Sequence, residues 1–129
     1  MILALDPGSK KCGLAALDAS GNVLEKKIIS REEVKGELPL LLSKYQINTL
    51  VVGKSPFGKE IEKEIYRMGI QAHILFVSEK YSTLEARKRY WKENRPSGLW
   101  RFIPTSLLTP PVPVDDYAAV ILGERYLKG

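Results

Sequence analysis

At 129 residues, 44% hydrophobic and 27% charged, the chain has the make-up of one ordinary globular domain, residues 1–129, and not of a disordered segment. No apolar run approaches the roughly 20 residues of a membrane span. Asp6 interrupts the apolar start, so it does not read as a signal peptide. The only cysteine, Cys12, cannot close an internal disulfide, and a reducing cytoplasm is the compartment expected. Lys and Arg outnumber Asp and Glu by 20 to 15, a net charge of +5 that means little until its distribution is known.

The first 30 residues read as a three-strand meander. Met1–Leu5 is an apolar run ended by the turn Asp6-Pro7-Gly8-Ser9. Gly13–Leu17 is a second run, ended by Asp18-Ala19-Ser20-Gly21-Asn22. Val23–Ile29, rich in lysine, has the character of an exposed sheet edge. Ser30 and Glu33 have capping-box spacing, and Leu38, Leu41, Leu42 and Tyr45 follow with helical period. Pro39 predicts a break or a late start in that helix.

Ile47–Val52 is a compact run suited to a central strand, ended by Gly53-Lys54-Ser55-Pro56. Ile61, Ile65 and Met68 mark a helix stopped at Gly69. Ala72–Val77 is the fifth strand, with His73 expected to be packed in it. Ser82 and Glu85 predict a second capping box, opening a basic helix that runs to about Asn94. Residues 95–114 hold Pro96, Pro104, Pro110, Pro111 and Pro113 and predict a long irregular connection, anchored by Trp100 and Phe102. An alanine-rich amphipathic helix, Asp115–Leu127, closes the chain. Hairpins in the first half and strand–helix alternation in the second predict an α/β fold: a mixed five-stranded sheet, an antiparallel meander plus two parallel strands, covered by helices.

Three acidic positions stand where strands end or a helix begins: Asp6, Glu79, and Asp115 or its neighbour Asp116. Carboxylates drawn together repel unless a cation neutralises them, and all-oxygen ligands favour Mg2+ or Mn2+ over zinc. Each residue also has a plainer reading. Asp6 suits the turn Asp-Pro-Gly, Asp115 is a ready helix cap, and Glu79 can be a solvated surface charge. Spacing alone supports only a possible metal site.

The local sequence around these acids says more. Ile2-Leu3-Ala4-Leu5-Asp6-Pro7-Gly8-Ser9-Lys10-Lys11-Cys12-Gly13 resembles the first motif of RuvC-type resolvases and the related YqgF family. Val77-Ser78-Glu79-Lys80-Tyr81-Ser82-Thr83-Leu84-Glu85-Ala86 and Val114-Asp115-Asp116-Tyr117-Ala118-Ala119-Val120-Ile121-Leu122 resemble later motifs of the same family, in the same order. The resemblance implies a ribonuclease H-like fold and a divalent-metal nuclease acting on structured nucleic acid. Processing of the small-subunit ribosomal RNA precursor and, by analogy, Holliday-junction resolution are the activities it suggests. It carries metal-binding and catalytic carboxylates to Asp6, Glu79 and Asp115, with Asp116 as an alternative metal ligand. Two departures stand out. Ser78 replaces an acidic residue of the second motif, and Gly-Lys-Ser-Pro follows the fourth strand where RuvC enzymes carry an acid. A catalytically weak, nucleic-acid-binding ribosome-assembly protein of the same fold is therefore the competing reading.

The charge is clustered. Lys80, Arg87, Lys88, Arg89, Lys92, Arg95 and Arg101 are opposed between residues 80 and 101 only by Glu85 and Glu93, and Tyr81, Tyr90, Trp91 and Trp100 lie among them. On the basic helix Arg87, Tyr90 and Trp91 fall within one turn of each other, a face suited to phosphates and stacked bases. Lys10, Lys11, Lys80, Arg87, Lys88, Tyr90 and Trp91 are the expected nucleic-acid contacts, with structured RNA or branched DNA as partner. The rings serve equally well as packing against the sheet. A phosphate-loop reading of Asp-Pro-Gly-Ser-Lys-Lys-Cys-Gly, as in sugar kinases or actin-like ATPases, needs two lobes, and this chain has room for one. Monomer and homodimer both remain open.

Overall fold

A computed structural model describes residues 1–96, 98–105 and 108–129. Five strands, β1 (Ile2–Asp6), β2 (Lys11–Leu17), β3 (Val23–Ser30), β4 (Thr49–Gly53) and β5 (His73–Val77), form one sheet in the order β3-β2-β1-β4-β5. The β1–β2 and β2–β3 pairs are antiparallel, while β1–β4 and β4–β5 are parallel. This is the expected mixed sheet. Four helices accompany it: α1 (Val34–Lys44), α2 (Pro56–Arg67), α3 (Ser82–Glu93) and α4 (Asp115–Lys128). Among the described residues no helix is long and apolar enough to cross a membrane.

Strand alternation sorts the side chains onto two faces. Leu3, Leu5, Leu14, Leu50 and Val52 point to one face and are buried with Val34, Leu38 and Leu41 of α1 and Ile61 and Ile65 of α2. Each such buried aliphatic side chain contributes about 1.5–3 kcal/mol. Ile2, Ala4, Ala15, Leu17 and Val51 point the other way and pack under Ala119 and Val120 of α4. Small residues set how closely that helix approaches. A Cβ on Gly123 would stand 2.9 Å from Leu17 Cδ1 and 3.3 Å from Ala4 Cβ. Helix α4 therefore lies nearly on the sheet, with its first residue above the carboxyl end of β1. Helix α3 packs on α4 through Ala86, Tyr90, Tyr117 and Ala118.

Several local expectations give way. Ser30 and Glu33 do form a reciprocal cap, but it opens a short 3-10 turn, Arg31–Glu33, that runs straight into α1. Pro39 sits inside α1 without ending it. The carbonyl it leaves unpaired is that of Lys35, an exposed residue, so water can take the place of the missing donor. The Ser82–Glu85 capping box does not form. Tyr81 precedes α3 in the left-handed region (φ 63°), Ser82 is buried within the helix, and Arg125 draws away the Glu85 carboxylate at 3.0 Å.

His73 is exposed and not packed, because β5 is an edge strand paired only with β4. Ile47 is buried ahead of β4 and not within it, since Gln46 turns the chain there at φ 52°. In the connection after α3, Gly98–Phe102 coil into a 3-10 turn that leaves Trp100 61% and Phe102 71% exposed, so neither ring anchors that segment.

Candidate active site

The sheet builds the site by placing a glycine on each side of an aspartate. Asp6 is the last residue of β1, facing Gly13 across the antiparallel pair, and Gly53 ends β4 on its other side. Both glycines keep the surface beside Asp6 free of side chains, and two other acidic residues occupy that space. A Cβ on Gly13 would stand 1.8 Å from the Asp115 carbonyl oxygen, so α4 begins in direct contact with β2. A Cβ on Gly53 would meet the Glu79 carboxylate at 2.2 Å, so the Glu79 side chain lies flat over the end of β4.

Two contacts hold the backbone that carries Glu79. The Lys54 N–H donates to the Val77 carbonyl at 2.9 Å, and the Ser82 N–H donates to the Glu79 carbonyl at 2.9 Å. The Arg125 guanidinium adds a third by donating to the Ser78 carbonyl at 2.7 Å.

The Asp6 and Glu79 carboxyl groups lie close enough to act on each other's proton, and two carboxyl groups can bond only by sharing one. Burial, then the bond to and the charge of Glu79, then the charge of Asp115 push the Asp6 carboxyl up to about 8. Glu79 is also raised, chiefly by burial. Asp115 points an oxygen, Oδ2, that is buried without a hydrogen-bond partner among the described residues, although the Lys11 ammonium lies 3.2 Å away as an ion pair.

Asp116 does not join this group. Its carboxylate takes the Lys26 ammonium at 2.9 Å and the Tyr117 N–H at 2.9 Å. The doublet thus divides its labour, with Asp115 turned toward Asp6 and Asp116 toward β3.

The all-oxygen donor set and an Asp115 oxygen that is buried with an ion pair but no hydrogen bond fit a hard divalent cation. The spacing is looser than the chemistry. Among the described residues no three His, Cys, Asp or Glu side chains lie close enough to enclose a metal as they stand. Asp6 and Glu79 meet, and Lys11 answers the charge of Asp115.

The basic surface lies on α3 and just beyond it. Arg87 and Lys88 are exposed, while Tyr90 and Trp91 are partly buried, their rings edge to face with centroids 5.0 Å apart. Tyr90 also meets Tyr117 of α4 edge to face at 5.9 Å, so this ring packs between helices instead of lying open. Lys10 is exposed beside the site, and the Lys80 ammonium lies 5.3 Å from the Tyr81 ring.

No protein-family model matches the chain. A Helicobacter pylori (strain G27) protein provisionally named a pre-16S rRNA nuclease is 35% identical over 136 residues, covering 99% of this chain and 96% of that one. The chain belongs to the pre-16S rRNA nuclease (YqgF) family. The counterpart in strain HPAG1 is 35% identical over 139 residues, with the same coverage. Two solved structures share the fold of this family member at low identity. Thermus thermophilus RuvC superimposes with a TM-score of 0.53 at 14% identity, covering 99% of this chain and 96% of that one. The fowlpox virus resolvase, solved with Holliday-junction DNA, reaches 0.60 at 15%, covering 98% and 96%. The ribonuclease H-like architecture is thereby established for this YqgF chain.

Reasoning from residue types alone passed over two parts of the site. Gly13 and Gly53 carry no chemistry, yet their missing side chains let Asp115 and Glu79 reach Asp6. The available signal was a glycine at the end of each strand expected beside the first. Arg125 was also passed over, because a late helical arginine gives no sequence hint that it reaches back to Ser78.

Proposed function

We propose that this YqgF chain is a single-domain, divalent-metal-dependent endonuclease that hydrolyses phosphodiester bonds in structured RNA, the 16S rRNA precursor in particular. Its setting is the cytoplasm, where ribosomal precursors are made in bacteria. Asp6, Glu79 and Asp115 are the residues that would hold the cation, with Mg2+ or Mn2+ suited to their oxygens. Bound there, such an ion would polarise the phosphate and lower the pKa of an attacking water.

The chain's own groups supply the rest. Glu79 is positioned over Gly53 by the Arg125 bond to Ser78, and Asp6 stays at the strand end to orient whatever occupies the site. Lys11 is the natural counter-ion for a substrate phosphate once Asp115 is otherwise engaged. Arg87, Lys88 and Lys10 offer exposed charge to the flanking backbone.

The observation that carries this reading is the meeting of Asp6 with Glu79, 73 residues apart in the chain, under the charge of Asp115. A second reading, a ribosome-assembly binder with little turnover, draws on Lys11. Its ion pair already neutralises the third carboxylate without a metal.

Cleavage of an RNA spanning the 16S precursor end, in Mg2+ or Mn2+, separates the two. The nuclease reading expects metal-dependent products that Asp6→Asn abolishes while RNA binding persists. Products that survive in Asp6→Asn would remove the site. RNA binding without products from the unaltered chain in either metal would favour the second reading.

A further inference from the structure

A groove runs along α3 and the segment after it, and of its lining residues only Lys88 has a part in the chemistry above. Lys88, Lys92, Arg95 and Arg101 line one section of about 410 Å³ together with Trp91. A second section of about 600 Å³, sharing Trp91, Arg95 and Pro96 with the first, runs on between Trp91 and Trp100. All four cations are exposed, and none forms a salt bridge among the described residues. On the same helix Arg89 is instead matched to Glu124 at 2.6 Å, so α3 turns its paired charge toward α4 and its unpaired charge toward the groove.

Two indoles border this unmatched charge. Trp100 stands 61% exposed on its 3-10 turn, an unfavourable place for a large apolar ring with nothing on it. Trp91 is partly buried, and its indole N–H has no acceptor among the described residues.

The geometry points to a stacking site for an unpaired nucleobase, held between Trp91 and Trp100, with the flanking phosphates on Lys88, Lys92, Arg95 and Arg101. The cations select a polyanion, and the exposed Trp100 ring across the groove from Trp91 selects one whose bases are open. A continuous duplex meets only the first condition, because its bases present edges in the grooves and no free faces. A line of rings joins the groove to α4. The Trp91 ring is 5.0 Å from Tyr90, Tyr90 is 5.9 Å from Tyr117, and Tyr117 lies two residues into α4 from Asp115. The role of this site, gripping a single-stranded flank of the cleaved RNA, rests on the nuclease reading, but its chemistry does not.

The chain has 2 tryptophans, and both line the groove, so their emission reports on it directly. The test is a fluorescence titration in EDTA, where no cleavage occurs, comparing short single-stranded oligoadenylate with a blunt RNA duplex of equal length. The single strand is expected to quench the emission and to bind more tightly than the duplex. Trp100→Ala, at an exposed position, is expected to weaken single-strand binding about 5- to 150-fold, the equivalent of roughly 1–3 kcal/mol for one stacked base, and to leave duplex binding nearly unchanged. Arg101→Gln is expected to weaken both ligands and to flatten their salt dependence. Equal quenching by the duplex, or single-strand binding unaffected by Trp100→Ala, would overturn the site. Quenching by an unaltered chain that cleaves no RNA in Mg2+ or Mn2+ would leave the site standing and count only against the nuclease reading. Cleavage without quenching would remove the site alone.

Discussion

Replacing Asp6 by Asn is expected to stabilise the metal-free chain, and increasingly so as the pH rises. In the folded state the Asp6 carboxyl is pushed from the ordinary 3.8 up to about 8, first by burial and then by Glu79 and Asp115. An acid whose folded pKa exceeds its unfolded one lowers stability with rising pH. The cost is absent below 3.8, grows through the interval and is complete above about 8. At about 1.4 kcal/mol per pH unit, that interval sets a ceiling of roughly 6 kcal/mol. Lys11 beside Asp115 and water at the open edge of the site screen part of it, leaving about 1–3 kcal/mol. Asn keeps the shape and a hydrogen-bonding group for Glu79 without the charge. Urea denaturation in EDTA at pH 5 and pH 9 measures the effect, with the larger gain expected at pH 9. Added Mn2+ is expected to stabilise the unaltered chain and not the variant, because binding to the folded state alone raises its stability. An Asp6→Asn chain equally destabilised at both pH values would refute the reasoning, since Asp6 would then be serving the fold as a turn residue.

The two glycines beside Asp6 are expected to separate site from scaffold. Gly53→Ala puts a methyl against the flexible end of Glu79, which can swing aside, so cleavage is expected to fall about 100-fold with little change in melting temperature. Gly13→Ala instead meets the Asp115 backbone, which cannot yield without moving α4, and is expected to cost about 2–3 kcal/mol in urea denaturation. Matching losses of stability in both variants would contradict this division. Glu25, held down to about 2 by Lys44 first, then Tyr45 and Lys27, contributes stability that is present above about pH 4.5 and lost as the pH falls toward 2. Glu25→Gln is expected to flatten the acid limb of the stability curve, and an unchanged limb would show that these surface contacts contribute nothing.

The sheet was legible in the sequence because its signals are local. Five apolar runs of strand length, the turns after Leu5 and Leu17, and the helical period of Leu38, Leu41 and Leu42 each agree with the fold they enter. Asp6, Glu79 and Asp115 stood out because each sits at an element boundary that a mixed sheet brings to one end. What stayed hidden depends on tertiary neighbours. The Ser82–Glu85 pair has capping spacing, but Arg125, some 40 residues on, competes for the glutamate. Pro39 carries a helix-breaking signal that fails because the carbonyl it orphans belongs to an exposed residue. The motif match favoured Asp115 over Asp116, but the physical reason for the difference was hidden, since it is Lys26 on β3 that draws Asp116 away. Gly53 looked like a missing acid, whereas in three dimensions it is the floor on which the Glu79 acid lies.

The central claim is that Asp6, Glu79 and Asp115 jointly hold a divalent cation, and a crystal soaked in Mn2+ tests it most directly through anomalous density. The account predicts a peak within about 2–2.3 Å of oxygens from all three residues, with Lys11 displaced from Asp115 and Asp116 still on Lys26. Crystals at saturating Mn2+ that show no peak there, with Asp6 still bonded to Glu79 and Asp115 still paired with Lys11, would contradict it.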